Sequence, residues 1–313
     1  MPKELLFFNP VFKQGIWGGK RLGSDWGYDI PGDNTGECWG IAAHEHGDCT
    51  VREGKYKGQT LSSLWKNSHE LFGEASGEAF PLLVKIIDAA ADLSIQVHPD
   101  EAYASENESG SGKTECWYIL DCPEGAELVI GHNANTKAEL KEMVDNRQWD
   151  KLIRSIPIRR GDFIQIDPGT IHAITQGVMI LETQQNSDIT YRVYDYDRLQ
   201  NGKPRTLHVK KSLDVITVPA KRVDDQVINV DKFSKNKLEE LISNTHYDVF
   251  WLEIDGEFEM EQKYPFLLMS VIEGEGMLNN TSIKRGDHFM VSAGFGEIKL
   301  EGQMKLIAST IGE

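Results

Sequence analysis

The 313-residue sequence predicts a mainly β chain, organised as β-sandwich or barrel units with a few helices. Three observations carry that expectation. Short apolar runs ("ELVIGH", "DFIQID", "GVMILETQQ", "DITYRVYDYD", "FLLMSVIEGEG", "HFMVSAG") are separated by Gly, Pro, Asp or Asn, which is strand-and-turn punctuation. Helical periodicity is sparse. A faint internal repeat, discussed below, implies that one β unit is used twice.

The helical exceptions are few. "TLSSLWKNSHELFG" places Leu61, Leu64, Trp65 and Phe72 near one face. "NTKAELKEMVDNRQWDKLIRSI" opens on a Thr136…Glu139 capping box and spaces Leu140, Met143, Val144, Trp149, Leu152 and Ile153 as a helix would. "KFSKNKLEELISN" reads as a connector helix. The repeat pairs "RRGDFIQIDPGTIHAI" with "KRGDHFMVSAGFGEIKL" without a gap, matching Gly161 to Gly286, Asp162 to Asp287 and Gly169 to Gly294. His172 falls opposite Glu297, so only the first copy keeps an imidazole there. The polar stretch "VDDQVINVDKFSKNK" is the natural boundary. The expected division is into units 1–232 and 233–313, of which only the first keeps that imidazole.

Hydrophobic residues make up 40% and charged residues 26% of the chain, a globular composition. The formal net charge of −16 argues against a nucleic-acid or anionic-membrane partner. An anionic substrate would need a local cluster of Lys and Arg against that field. The opening "MPKELLFFNPVFKQG" lacks a signal-peptide pattern and no run is long enough to span a bilayer, so a cytoplasmic location is expected. Cys38, Cys49, Cys116 and Cys122 form no C-x-x-C pair, and reduced thiols follow from that location.

Candidate chemistry gathers at strand ends of the first unit. In "LSIQVHPD", Leu93, Ile95 and Val97 alternate with Ser94, Gln96 and His98, so an amide and an imidazole share one face before Pro99 ends the strand. Glu115 follows a Gly/Ser loop, and His172 follows a Pro-Gly turn. Two imidazoles, a carboxylate and an amide oxygen suit a borderline cation such as zinc. Taken one at a time, each also reads as an ordinary polar residue. His44 and His46 in "AAHEHGD" repeat the H-x-H spacing at what reads as a polar hairpin tip, and His69, His132, His208, His246 and His288 have no evident company. Lys85 sits in an apolar strand, where a charge needs a partner. Lys113 precedes Glu115 by two residues, and Arg192 follows Glu182 by ten. Lys210 and Lys211 read as a solvated pair.

Together, "IWGGKRLG", "GECWG", "FPLLVKIIDAAADLSIQVHPD", "GKTECWYIL", "PGTIHAI" and "LETQQNSDITYRVYDYDR" resemble type I mannose-6-phosphate isomerase (phosphomannose isomerase), in its short bacterial form. The resemblance runs in order along nearly the whole chain. It implies two cupin-type (jelly-roll) β-barrel units and a zinc-dependent enzyme interconverting mannose 6-phosphate and fructose 6-phosphate. By position it makes Gln96, His98, Glu115 and His172 the ligands of one Zn2+ per chain and Arg192 the catalytic arginine, with Lys85, Lys113 and Glu182 as further active-site positions. Three departures stand out. Larger members read Lys-Pro-Glu where this chain has Lys113-Thr114-Glu115. Their Asn-Ser-Asp-Asn and Arg-Ala-Gly become Asn186-Ser187-Asp188-Ile189 and Arg192-Val193-Tyr194. The gap from His172 to Glu182 is one residue longer.

The implied reaction moves a proton between C2 and C1, through a cis-enediol, and another between their oxygens. A fixed cation near those oxygens stabilises the developing charge. The carbon base is Glu182 or Lys113, and the residues do not choose between them. Lys85 and Arg192 are expected to meet the sugar phosphate. The alternative is a cupin that binds a sugar phosphate without turning it over, as a sensor or accessory protein. An iron-dependent oxygenase fits the Glu182–Arg198 stretch poorly. A monomer or weak homo-oligomer is expected.

Overall fold

A computed structural model describes residues 3–73, 75–222 and 227–312. Positions 223–226 of the boundary stretch lie outside the described residues. Among the described residues, three large antiparallel sheets stack in layers, with several helices on one outer face and helix Leu61–Asn67 packed into the core of the other two sheets. The two-unit, mainly β architecture expected from the sequence is the one observed.

The middle layer is a seven-stranded sheet in the order Ile228–Asn229, Asp162–Ile166, Glu115–Asp121, Met179–Gln185, Leu82–Asp88, Thr35–Ile41 and Val11–Gly19. A five-stranded sheet faces it: Ile153–Pro157, Glu127–His132, His172–Ala173, Ile95–Val97 and Tyr191–Tyr194. Between the two lies a core of Trp117, Ile119, Leu128, Ile130, Ile156, Ile164, Ile166 and Ile180. On the far face of the seven-stranded sheet, Cys116, Tyr118, Leu120, Phe163, Met179 and Leu181 meet Trp251, Leu268, Met290 and Ile307 of the C-terminal eight-stranded sheet. The middle strands are therefore buried on both faces. That is why their sequences are nearly continuous apolar runs, and why their few charged residues need another explanation.

Helices Lys137–Asp145, Trp149–Leu152 and Val209–Val215 cover the outside of the five-stranded sheet. Leu140, Val144, Leu152 and Ile216 pack there on Ile95, Val97, Val129, Ala173 and Tyr191. Thr136 caps the first helix, accepting from the Glu139 N–H, and Glu139 returns a bond to the Asn135 N–H. The single helical run expected through Ile153 is instead two helices and a strand. Arg147, at φ 54°, ends the first helix, and Ile153 pairs with His132. The expected connector helix in "KFSKNKLEELISN" is likewise the strand Glu239–Ser243, paired with Tyr247–Glu261 and burying Leu241. Tertiary pairing outweighs helix propensity in both places.

The repeat has a shared geometry. Gly161 and Gly286 both have a left-handed φ, 87° and 89°, which favours glycine. After each, the aspartate folds back: Asp162 Oδ2 accepts from Arg159 N at 2.8 Å, and Asp287 Oδ2 accepts from Lys284 N at 2.9 Å. The N-terminal strand Leu5–Asn9 crosses the division placed at residue 232, since it pairs with His288–Val291 in the C-terminal sheet.

His288, without evident company in the sequence, pins these layers. One arrangement satisfies its ring: Ser270 Oγ donates to Nδ1 at 2.7 Å, and Nε2–H donates to Tyr28 Oη at 3.0 Å, which donates on to the Gly286 carbonyl at 2.8 Å. Gly40 lies against the ring, where a Cβ would approach it to 2.5 Å. Burial lowers the His288 pKa to about 4, below its usual value near 6.5. Protons then bind the unfolded chain first, so this group costs no stability above about pH 6.5 and progressively more as pH falls toward 4. The stability difference between wild type and His288→Asn should therefore shrink as pH drops from 7 to 4.5 in urea denaturation. A pH-independent difference would refute this reading.

Candidate metal centre and active site

Strands of the two facing sheets bring the candidate residues together. Gln96 pairs across the sheet with both His172 and Arg192, so these three side chains form a row on the inner face of the five-stranded sheet. His98 follows Gln96 by two residues. The backbone around it stitches two neighbouring loops in place: Gly169 N donates to the His98 carbonyl at 2.9 Å, and Lys113 N to the Pro99 carbonyl at 3.0 Å. Across the gap, Glu115 starts a middle-layer strand. Thr114 before it is held by Gln185, whose N–H reaches the Thr114 carbonyl at 3.0 Å and whose Oε1 accepts from Thr114 N at 2.9 Å.

His98, Glu115 and His172 are buried, and their ligand atoms all lie within 4.8 Å of one another. His98 Nε2 is 3.4 Å from Glu115 Oε2, His172 Nε2 is 3.4 Å from Glu115 Oε1, and the two Nε2 atoms are 3.2 Å apart. The opposite ring nitrogens meet carbonyls: His98 Nδ1 at Ile189 O, 2.8 Å, and His172 Nδ1 at Thr170 O, 2.9 Å. Those nitrogens must therefore carry the protons, which turns both Nε2 lone pairs inward; the Lys113 ammonium, 3.2 Å from His98 Nε2, fills the space beside one of them and Glu115. A divalent cation between the rings would meet both. Neither Glu115 oxygen has a hydrogen bond of acceptable geometry, although Lys113 Nζ stands 2.6 Å from Oε2. Two imidazole nitrogens and a buried carboxylate are a fitting donor set for a borderline divalent cation. Gln96 Nε2 lies 3.3 Å from His172 Nε2, and turning the amide over presents its oxygen to the same point.

A chain of alternating charges leads away from this cluster. Glu115 meets Lys113, which lies 3.5 Å from Glu182 Oε1. Glu182 meets Lys85 at 3.1 Å, and Lys85 lies 3.5 Å from Glu37 Oε2. Trp117 Nε1 holds the other Glu182 oxygen at 3.0 Å, and Trp39 Nε1 holds Glu37 at 2.6 Å. Burial pushes the Glu182 carboxyl upward, and the Glu115 charge adds to that against Lys85 and Lys113. Burial also opposes ionisation of Glu115, but Lys113 and the two imidazoles outweigh it and hold its pKa well below the usual carboxylate range. Lys85 is kept charged because Glu182, Glu37 and Glu115 overcome its desolvation. Counting all five side chains as ionised, one negative charge is left over, which a divalent cation would reverse.

Arg192 stands at the end of the inner row. Its guanidinium bonds Ser94 Oγ at 3.2 Å and Thr206 O at 2.8 Å rather than any of the ligands. It lines a shallow pocket of about 350 Å³ with Gln200, Lys203, Pro204, Arg205 and Thr206.

The family model for the type I phosphomannose isomerase catalytic domain matches residues 5–131, and that for the mannose-6-phosphate isomerase cupin domain matches residues 238–311. The mannose-6-phosphate isomerase ManA of Bacillus subtilis (strain 168) is 49% identical over 99% of this chain and 99% of its own. This chain belongs to the type I phosphomannose isomerase family. A mannose-6-phosphate isomerase of Streptococcus mutans is 43% identical, again over 99% of both chains. A crystal structure of the mannose 6-phosphate isomerase from Bacillus subtilis superposes with a TM-score of 0.91 at 44% identity, covering 99% of this chain and 100% of that one. A more distant mannose 6-phosphate isomerase, bound with zinc and yttrium, shares the fold at 16% identity with a TM-score of 0.76, over 99% of this chain and 100% of that one. His172, Glu182 and Arg192 lie between the two matched family segments but within the span of the full-length relatives.

The structure thus gathers Gln96, His98, Glu115, His172, Lys113, Glu182 and Lys85, with Arg192 alongside. Sequence reasoning missed Glu37 and Trp117, the partners of Lys85 and Glu182, although a carboxylate one strand from a buried lysine was the signal to look for. It also missed Lys203 and Arg205 beside Arg192. Removing Lys85 would strand Glu37 and Glu182 without their shared counter-ion, since a broken buried pair costs about 3–5 kcal/mol. Lys85→Met should lower unfolding stability by that order in urea denaturation, and a loss below about 1 kcal/mol would contradict the charge chain.

Proposed function

We propose that this protein is a zinc-dependent aldose–ketose isomerase that interconverts mannose 6-phosphate and fructose 6-phosphate through a cis-enediol, with one Zn2+ per chain. The observation that carries the proposal is the buried His98–Glu115–His172 donor set, beside a carboxylate clasped by two lysines. The relatives named as mannose-6-phosphate isomerases along the full chain supply the substrate.

His98, Glu115 and His172 would hold the ion, with Gln96 as the fourth ligand after its amide turns. A zinc ion there supplies fixed positive charge at the oxygens where negative charge develops. Glu182 is the carbon base favoured by the geometry. One of its oxygens is oriented by Trp117, while the other faces the ammonium groups of Lys85 at 3.1 Å and Lys113 at 3.5 Å. Its upward pKa shift suits that work. In the forward direction Glu182 takes the proton from C2 and returns it to C1, while the O2 hydroxyl proton passes to O1. Lys113 touches both Glu115 and Glu182, and its ammonium stabilises the same oxygen charge. Lys85 holds Glu182 in place from the other side and offers its remaining hydrogen to the sugar. Arg192 receives the phosphate end and adds positive charge to the site, with Lys203 and Arg205 lining the same pocket.

In this proposal residues 1–232 carry the chemistry, and 233–313 supply the metal-free sheet that covers the far face of the middle layer. No helix among the described residues is long and apolar enough to cross a membrane. A cytoplasmic location and a monomeric or weakly associating state are part of the proposal.

A coupled assay for fructose 6-phosphate formation tests it. Turnover should vanish with chelator and return with zinc. Glu182→Gln should lower kcat by about 100-fold or more, the usual scale for a lost acid–base group, with little change in KM. Near-normal turnover by Glu182→Gln would remove it as the base. Sugar phosphate binding without turnover in the zinc-loaded wild type would favour the non-catalytic alternative.

A further inference from the structure

We propose that His44, His46 and Asp188 form a second divalent-cation site, at the surface, suited to borderline transition metals such as Zn2+, Ni2+ or Co2+. It is separate from the buried centre.

The two imidazoles come from a tight hairpin. Ala43–His44 pairs with Gly47–Asp48, leaving Glu45 and His46 as the turn. The His46 N–H donates to His44 Nδ1 at 3.1 Å, and the rings stand 5.1 Å apart. The edge-to-face contact of Trp39 supports the His44 ring from behind, 5.8 Å away. The carboxylate arrives from 142 residues further along the chain. Asp188 Oδ2 is 2.6 Å from His46 Nδ1, and its Oδ1 is 3.7 Å from His44 Nε2. All three ligand atoms lie within 4.8 Å of one another. Ligands around tetrahedral zinc, each about 2.0–2.1 Å from the ion, are separated by roughly 3.4 Å, so small side-chain shifts suffice.

A plain hydrogen bond would need one imidazole, whereas here two rings address different oxygens of one carboxylate. The backbone is built to bring them there: Asn186 Nδ2 donates to the Ala43 carbonyl at 3.0 Å, and Ser187 Oγ to the Ser111 carbonyl at 2.8 Å. The side chains are 12% (His44), 61% (His46) and 41% (Asp188) exposed, which lets water complete the coordination. The nearby Lys13 ammonium is engaged with the His46 carbonyl. The net charge of −16 favours cations.

One feature weakens the site relative to the buried one. Because His44 Nδ1 accepts the His46 N–H, its proton sits on Nε2, and binding a cation there moves that proton to Nδ1 and gives up the backbone bond. The site also reaches the chemistry. Asp188 is followed by Ile189, whose carbonyl holds His98 Nδ1, so a cation bridging the hairpin to Asp188 ties down the loop that orients a ligand of the buried centre.

Calorimetric titration of the dialysed, zinc-loaded enzyme with Zn2+ tests the proposal. One further equivalent per chain should bind. Its affinity should fall at least about 10-fold in His46→Gln and in Asp188→Asn. Both variants should keep the wild-type thermal midpoint and the equivalent retained through dialysis. No further equivalent, or further binding unchanged in both variants, would overturn the site.

Discussion

The structure depends on one electrostatic arrangement: carboxylates and ammonium groups alternate through a gap that excludes water. Glu115, Lys113, Glu182, Lys85 and Glu37 are each within 3.5 Å of the next. None of them could be buried alone, because an isolated charge in such a place loses its hydration without compensation. The chain of contacts makes burial tolerable, and it also sets the chemistry. Glu115 is held ionised while Glu182, a few ångströms away, is pushed toward the neutral form. Two carboxylates in one cavity are thereby given opposite protonation tendencies by their surroundings.

The layered fold makes that gap possible. A sheet buried on both faces offers a rigid inner surface, and alternation along its strands puts Lys85, Glu115, Trp117 and Glu182 on one side and Cys116, Tyr118 and Leu181 on the other. The C-terminal sheet keeps water from the outer side, and the helices do the same for the five-stranded sheet. The two halves share a turn chemistry, visible in Asp162 and Asp287, each bonding back to the residue three positions before it. They do not share the candidate ligand: His172 is buried in the first half, whereas its counterpart Glu297 is exposed at the start of a C-terminal strand.

Much of this was legible in the sequence. Strand runs punctuated by Gly and Asp identified the class, and the alternation through Gln96 and His98 identified a face. Lys85 in an apolar strand signalled a buried partner, but nothing local named Glu37, which reaches it only through cross-strand register. Periodicity failed at Ile153 and at Glu239–Ser243 because long-range pairing, invisible locally, decided those segments. The H-x-H pair at His44 and His46 looked like a bare hairpin tip, and Asp188, the residue that changes its meaning, enters from a distant loop. Likewise His288 has no neighbour in sequence to suggest its clasp by Tyr28 and Ser270.

Anomalous diffraction at the zinc absorption edge, from crystals of the purified protein, would test the buried centre most directly. A peak bounded by His98 Nε2, His172 Nε2 and Glu115, with Lys113 displaced from the Glu115 oxygen it now contacts, is the expected result. A crystal from zinc-containing solution with no density there, and with Lys113 still filling the space between the imidazoles and the carboxylate, would contradict it.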